Sequence, residues 1–317
     1  AYFATIHLEA TKTLVKILYE KGQRALVGKV NMDQNSPDNY KETFEASVRD
    51  TRAFVDFALA EVEHQKQTSR HVAPVLPVIT PRFVPTCSSE LLEELGNIAK
   101  EHHLHIQSHI SENKEEVSWV KMLHPDNESY TDVYIQHGLL TNKTIMGHGV
   151  YLSGTELKQF AKHGAGVSHC PVSNFALRSG CFNVRRALEK GVKVGLGTDV
   201  SGGYSPSMLE VMRQAVIAST ATFFHDDTCH PLSFKEVFYL ATQGSAELLA
   251  MGDTIGTIVP GKSFDACIVD PSCEDSPFNN YDFVAGDIID IFQKFIFLGN
   301  AHNIRQVYVQ GKSRISK

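Results

Sequence analysis

His105–Asn113 reads HIQSHISEN. Ile106, Ser108 and Ile110 alternate with Gln107 and His109, the period of a strand with two distinct faces. The run then breaks into Ser111-Glu112-Asn113, a polar turn that opens a helix. A histidine at a strand end with a glutamate three residues on places a metal ligand and a proton carrier within reach of each other.

Outward from this corner, short apolar runs alternate with amphipathic helical stretches. The strand runs are Tyr2–Ile6, Ala25–Val30, Val72–Ile79, His105–Ile110, Thr144–Gly147, Gly166–His169 and Val192–Gly197. Helical stretches lie between them: Thr11–Glu20, Tyr40–Val62, Leu91–Lys100 with Leu91, Leu92, Leu95 and Ile98 on one face, and Phe182–Glu189. Ser153-x-x-Glu156 is a capping box ahead of Leu157 and Phe160. Strand–helix units of this size predict parallel strands with helical crossovers, in a doubly wound sheet or a (β/α)8 barrel. GxGxxG does not occur, which removes the main dinucleotide-binding form of the open sheet. Seven strands are readable where a closed barrel needs eight. The chain opens at Ala1 inside an apolar run, so the expectation is that strand one lies upstream. Residues 1–254 are thus expected to form an α/β (β/α)8 TIM-like barrel missing its first strand.

Beyond the seventh strand, Ser207-x-x-Glu210 and Ser233-x-x-Glu236 each start a helix. From Ile255 the chain reads IGTIVPGKSFDACIVDP, β-branched residues punctuated by Gly256, Pro260 and Gly261. Ile304–Ile315 is an alternating pair of strands around Gly311-Lys312. Residues 255–317 are expected to be a small β-rich appendage.

Composition narrows the function classes. The 317 residues are 42% apolar and 21% charged, a globular balance. A net charge of −6 and a pI near 6.2 argue against a nucleic-acid backbone or an anionic membrane as partner. No apolar run approaches the roughly 18–20 residues of a membrane span, and no signal peptide is visible. The six cysteines are scattered without CxxC, as in a cytoplasmic enzyme with reduced thiols.

In a parallel barrel the catalytic groups sit at the C-terminal ends of strands. VLPVITPRF, HIQSHISE, TIMGHG and VGLGTD deliver Arg82-Phe83, His109 with Glu112, His148 and Asp199 to one mouth. Two imidazoles and a carboxylate suit zinc with an open position for water. Each residue has a plainer reading. A lone strand-end histidine is more often solvated, Asp199 could cap the Ser201-Gly202-Gly203 turn, and Glu112 could be a first-turn helix carboxylate. Arg82 could be a surface cation and Phe83 a core ring. Their joint placement on successive strands favours the site. His103-Leu104-His105 has the HxH spacing of a metal motif but lies at the wrong end, with His105 roughly 13 Å below His109 along the strand. His169 is expected to be structural or supporting, and His7 is a weak site candidate.

At these residues the chain resembles the metal-dependent amidohydrolase superfamily, and within it the guanine deaminase family. HIQSHISEN, the HG of GHG, SHCPVSN and GLGTD carry the likeness. TPRF, LLTNKTIMGHGVYLS, GVKVGLGTDVSGGYS, KEVFYLAT and IGTIVPGKSFDA extend it in order over almost the whole chain. The resemblance implies a barrel beside a small β-sandwich, one Zn2+ per chain, and hydrolysis of guanine to xanthine and ammonia. It implies that His109 binds zinc, and that Asp199 is a ligand that also takes a proton from the metal-bound water. His148 would hydrogen-bond that water, Glu112 would protonate a ring nitrogen of the purine, and Arg82 and Phe83 would read and stack on the base. The HxE…PCxxC signature of the other zinc deaminases is absent. The family tends to pair, so a homodimer is an implied partner.

The resemblance implies that the family's other two zinc ligands, an HxH at the end of barrel strand one, are expected ahead of Ala1. The chain itself supplies His109 and Asp199, with His148 as an available third, and is expected to bind zinc weakly. Two alternatives to guanine deamination stand beside it. One is deamination of another aminated heterocycle; the other is a non-catalytic relative serving as a binding or interaction protein.

Overall fold

The computed structural model describes residues 1–68, 72–278 and 287–316, so 279–286 and 317 of the C-terminal portion lie outside the described residues. In chain order the first part runs β1 (Tyr2–Phe3), α1 (Leu8–Lys21), β2 (Ala25–Gly28), β3 (Val30–Asn31), α2 (Phe44–Thr68), β4 (Val75–Pro81), α3 (Ser89–Glu101) and β5 (His105–Ile110). It continues with α4 (Lys114–Leu123), α5 (Tyr130–Gln136), β6 (Thr144–His148), α6 (Gly154–His163), β7 (Gly166–His169), α7 (Pro171–Ala176), α8 (Val184–Glu189) and β8 (Lys193–Leu196). α9 (Met208–Phe223), α10 (Phe234–Tyr239) and α11 (Ser245–Leu248) close this unit.

The strands pair in parallel in the order β1-β2-β4-β5-β6-β7-β8, with β3 also on β4. This is a curled, incomplete TIM barrel, with β1 and β8 as its edges among the described strands. All seven expected strands are present. Tyr2–Ile6 contracts to Tyr2–Phe3, and Val72–Ile79 shifts to Val75–Pro81. Ala25–Val30 is interrupted at Lys29, whose buried ammonium turns aside to the Glu42 carboxylate at 2.6 Å. Pairing resumes at Val30 opposite Thr80.

Local chemistry sets the helix limits. α6 starts at the Ser153/Glu156 capping box and stops at Gly164 in the left-handed region, and α10 starts at the Ser233/Glu236 box. Ser207 caps α9 by accepting the Glu210 N–H. Leu91, Leu92, Leu95 and Ile98 of α3 are fully buried in one core with Ile106 and Ile110 of β5. Each such side chain contributes roughly 1.5–3 kcal/mol by leaving water. Inside the curl, the Gln107 amide donates to the Tyr2 carbonyl at 2.9 Å and to Thr80 Oγ1 at 3.0 Å. Gly28 sits against this contact, where a Cβ would fall 1.8 Å from Thr80 Oγ1. Leu26, Val78, Ile145 and Leu248 pack together at the floor, opposite the C-terminal strand ends.

The C-terminal portion forms β9 (Ala266–Val269), α12 (Ile288–Leu298), β10 (Ile304–Val309) and β11 (Lys312–Ser316), with the strands in one antiparallel sheet ordered β11-β10-β9. The β10–β11 turn places Gln310 and Gly311 at positive φ, as a two-residue hairpin loop requires. Of Ile255–Pro271 only Ala266–Val269 is strand; Gly256 and Gly261 adopt positive φ and break the rest into turns. α12 is a helix the sequence reading left unassigned. It packs on the barrel helices through Phe292, 4.9 Å from Phe238, and through the Ile296 carbonyl, which accepts from Arg213 at 2.9 Å. Arg24 binds Asp265 at 2.8 Å and joins the small sheet to the barrel floor. No helix among the described residues is long and apolar enough to cross a membrane.

Candidate active site

His109 ends β5 with its ring held on one side. Its Nδ1 donates to the Arg82 carbonyl at 2.7 Å, because a carbonyl can only accept, and Nε2 is left bare. The His109 carbonyl accepts from the buried Tyr134 hydroxyl at 2.8 Å, which also lies 2.8 Å from Ser108 Oγ. On β6 the residue opposite His109 is Gly147, where a Cβ would stand 3.2 Å from His109 Cδ2. That close approach explains the glycine.

His148 ends β6, buried, with Nδ1 against Asn174 Oδ1 at 2.9 Å. Its Nε2 faces Glu112 Oε2 at 3.9 Å and Asp199 Oδ2 at 4.0 Å. The rings of His109 and His148 stack at 5.4 Å and 22°. Donor atoms of His109, His148 and Asp199 all lie within 4.8 Å of one another. Glu112 opens the following turn; its N–H donates to Glu116 Oε2 at 2.9 Å and its Oε1 accepts from Ser179 Oγ at 2.8 Å. Ser111, His148 and Asp199 have φ of 50°, 70° and 47°. Left-handed backbone at a non-glycine residue costs of order 1–3 kcal/mol, and here it falls at the strand ends that carry the cluster.

Burial pushes the His109 imidazole down to about 4, with the neighbouring His148 adding to the effect against the Arg82 carbonyl. His109 is therefore neutral at pH 7 and able to ligate. The donor set of two imidazole nitrogens and a carboxylate fits a zinc-type cation, with Glu112 beside it as a further carboxyl.

Arg82 and Phe83 sit together at the rim: Arg82 is exposed, and its guanidinium lies 5.6 Å from the Phe83 ring. Phe83 meets Trp119 of α4 edge-on at 6.3 Å. His105 is spoken for below, with Nε2 2.8 Å from the Leu249 carbonyl at the barrel floor, and His103 is exposed in the turn before β5. His169 ends β7 but packs against Phe182 at 5.6 Å, and burial drives it down to about 3. His7 is exposed beside Tyr40 and stands outside the cluster. Three neighbours went unread in the sequence: Phe3, 4.5 Å from the His109 ring, together with Asn174 and Ser179. The polar run SHCPVSN immediately after β7 was the available signal for Asn174.

The Amidohydrolase family matches residues 2–314. The chain is 47% identical to guanine deaminase from Dictyostelium discoideum over 98% of its own length and 66% of the relative's. For guanine deaminase from Homo sapiens the identity is 49%, covering 98% of this chain and 67% of the relative. It thus spans about two thirds of these curated relatives. Among solved structures, guanine deaminase from C. acetobutylicum with guanine bound in its active site superimposes with a TM-score of 0.86 at 35% identity. That match covers 98% of this chain and 70% of the other. By sequence and by fold, the chain belongs to the amidohydrolase family, as a guanine-deaminase-like member.

Proposed function

We propose that this site carries out zinc-assisted hydrolytic deamination of guanine, giving xanthine and ammonia. The observation that carries the reading is the convergence of bare His109 Nε2, His148 Nε2 and the carboxylates of Asp199 and Glu112 below the Arg82-Phe83 rim. His109 and Asp199 would hold the metal, with His148 as a third donor. Zinc bound there supplies Lewis acidity that makes hydroxide available near neutral pH.

The chain's own groups do the rest. Guanine enters the mouth with its base against Phe83 and its polar edge toward Arg82. Asp199 takes the proton of the attacking water as the new C–O bond forms at the amino-bearing carbon. Glu112 delivers a proton to the adjacent ring nitrogen, then takes the hydroxyl proton of the tetrahedral carbon and passes it to the departing amino group, which leaves as ammonia, and the proton held on Asp199 returns Glu112 to its acid form. One water is consumed, the C–N bond breaks, and the carbonyl of xanthine remains.

The test is the loss of guanine absorbance with stoichiometric zinc, with xanthine and ammonia as the products measured. Turnover that disappears in Glu112→Gln supports the assignment. Guanine binding with no turnover by the zinc-loaded chain would instead make it a binding relative.

A further inference from the structure

The connection that follows β7 adds no group to the converging set, yet it holds two members of it. Asn174 Oδ1 lies 2.9 Å from His148 Nδ1, and both residues are buried. Five residues on, Ser179 Oγ donates to Glu112 Oε1 at 2.8 Å. The two are tied together, since the Ser179 N–H donates to the Asn174 carbonyl at 2.8 Å. The Tyr151 hydroxyl fastens the same turn by donating to the Ser179 carbonyl at 2.7 Å.

We propose that Asn174 is a positioning residue that fixes the tautomer of His148, keeping the proton on Nδ1 so that Nε2 meets the mouth as an acceptor. A neutral imidazole carries one proton, and which nitrogen holds it follows from the hydrogen bond made by the other. An amide oxygen can only accept, so Asn174 Oδ1 requires a proton on Nδ1. An opposing pull acts on the same ring. Two carboxylates stand 3.9 and 4.0 Å from Nε2, and each favours a proton there. A proton on Nε2 would turn the acceptor into a donor and remove it from the ligand set. Asn174 decides this contest because it is closer, buried, and anchored by its own N–H to the Cys170 carbonyl at 3.0 Å. Its purpose rests on the deaminase reading; its geometry does not.

The test uses the metal-free chain with 15N-labelled histidine at about pH 8.5, where an ordinary imidazole is neutral. The His148 resonances are identified by their loss in His148→Gln. The expected spectrum has a proton-bearing Nδ1 and a bare Nε2. Asn174→Leu is expected to move the proton to Nε2 and to weaken zinc binding about 10- to 100-fold, the usual cost of removing a ligand's outer partner. Asn174→Asp, which keeps the acceptor oxygen, is expected to hold the proton on Nδ1. A protonated Nε2 in the unmodified chain overturns the proposal without any variant having to fold. So does a proton that stays on Nδ1 in folded Asn174→Leu. Guanine turnover is read on the same samples with zinc. No turnover alongside a proton-bearing Nδ1 removes the deaminase reading and leaves this one standing.

Discussion

The Arg82 carbonyl accepts the Nδ1–H of His109 at 2.7 Å, so the residue whose guanidinium lies 5.6 Å from the Phe83 ring also orients an imidazole through its backbone. Side chain and main chain of Arg82 therefore serve different ends. A substitution separates them, because it removes the guanidinium and leaves the carbonyl.

Arg82→Ala is expected to weaken guanine binding at least about 10-fold, in line with the roughly 1.5–3 kcal/mol of a hydrogen bond to a charged group. Zinc affinity is expected to stay close to that of the parent chain. Binding can be followed by emission from Trp119, the chain's single tryptophan, which lies 6.3 Å from Phe83. An equal loss of guanine and zinc affinity would place Arg82 in the scaffold and not in base recognition.

Ser179 tests the orientation of Glu112. With Oε1 accepting from Ser179 at 2.8 Å, Oε2 is the oxygen turned toward His148. Ser179→Ala is expected to lower kcat about 10- to 100-fold, as for other outer hydrogen-bond partners, while KM and zinc content hold. Ser179→Thr, which restores the hydroxyl, is expected to recover most of the rate. A rise in KM with kcat intact would mean that the hydroxyl serves binding.

Much of this site was legible because strand ends are legible. Apolar alternation that stops at His109, His148 and Asp199 marks three strand ends, and parallel topology sends them to one face. Rise per residue alone sets the HxH of His103 and His105 apart from His109, and the structure does put His105 at the floor against Leu249. Asn174, Ser179 and Phe3 were not legible, because each matters through a neighbour on another strand and carries no period of its own. Lys29 was hidden for a related reason. Its run reads as one strand, and the interruption comes from Glu42, thirteen residues later. α12 escaped because its apolar residues lie on more than one face, with Ile296 buried while Ile288 and Leu298 are exposed.

Gly147 lets the His109 ring lie flat against β6. Gly147→Ala puts a methyl 3.2 Å from His109 Cδ2, inside ordinary contact, so the ring must give by a few tenths of an ångström. Overpacking of this kind costs about 1–3 kcal/mol. The expected outcome is weaker zinc binding in chelator competition, together with a lowered melting temperature even without metal. Unchanged zinc affinity would show that the His109 ring has room to spare.

Acid should loosen the join between the small sheet and the barrel. Burial alone would raise the Asp265 carboxyl, but hydrogen bonds from Arg24 and from the Gln310 N–H outweigh it and hold it below its ordinary value. A carboxyl lowered by folding stabilises the folded state fully above its unfolded pKa, about 3.9, and loses that contribution as pH falls through the lower folded value. Backbone hydrogen exchange in β10 and β11, corrected for the intrinsic pH dependence, is thus expected to lose protection below about pH 4. Arg24→Met removes the main stabilising partner, so it should lower protection at neutral pH and flatten the acid response. If the variant keeps the parent's acid profile, the pH dependence arises at another carboxylate and Asp265 is not the latch.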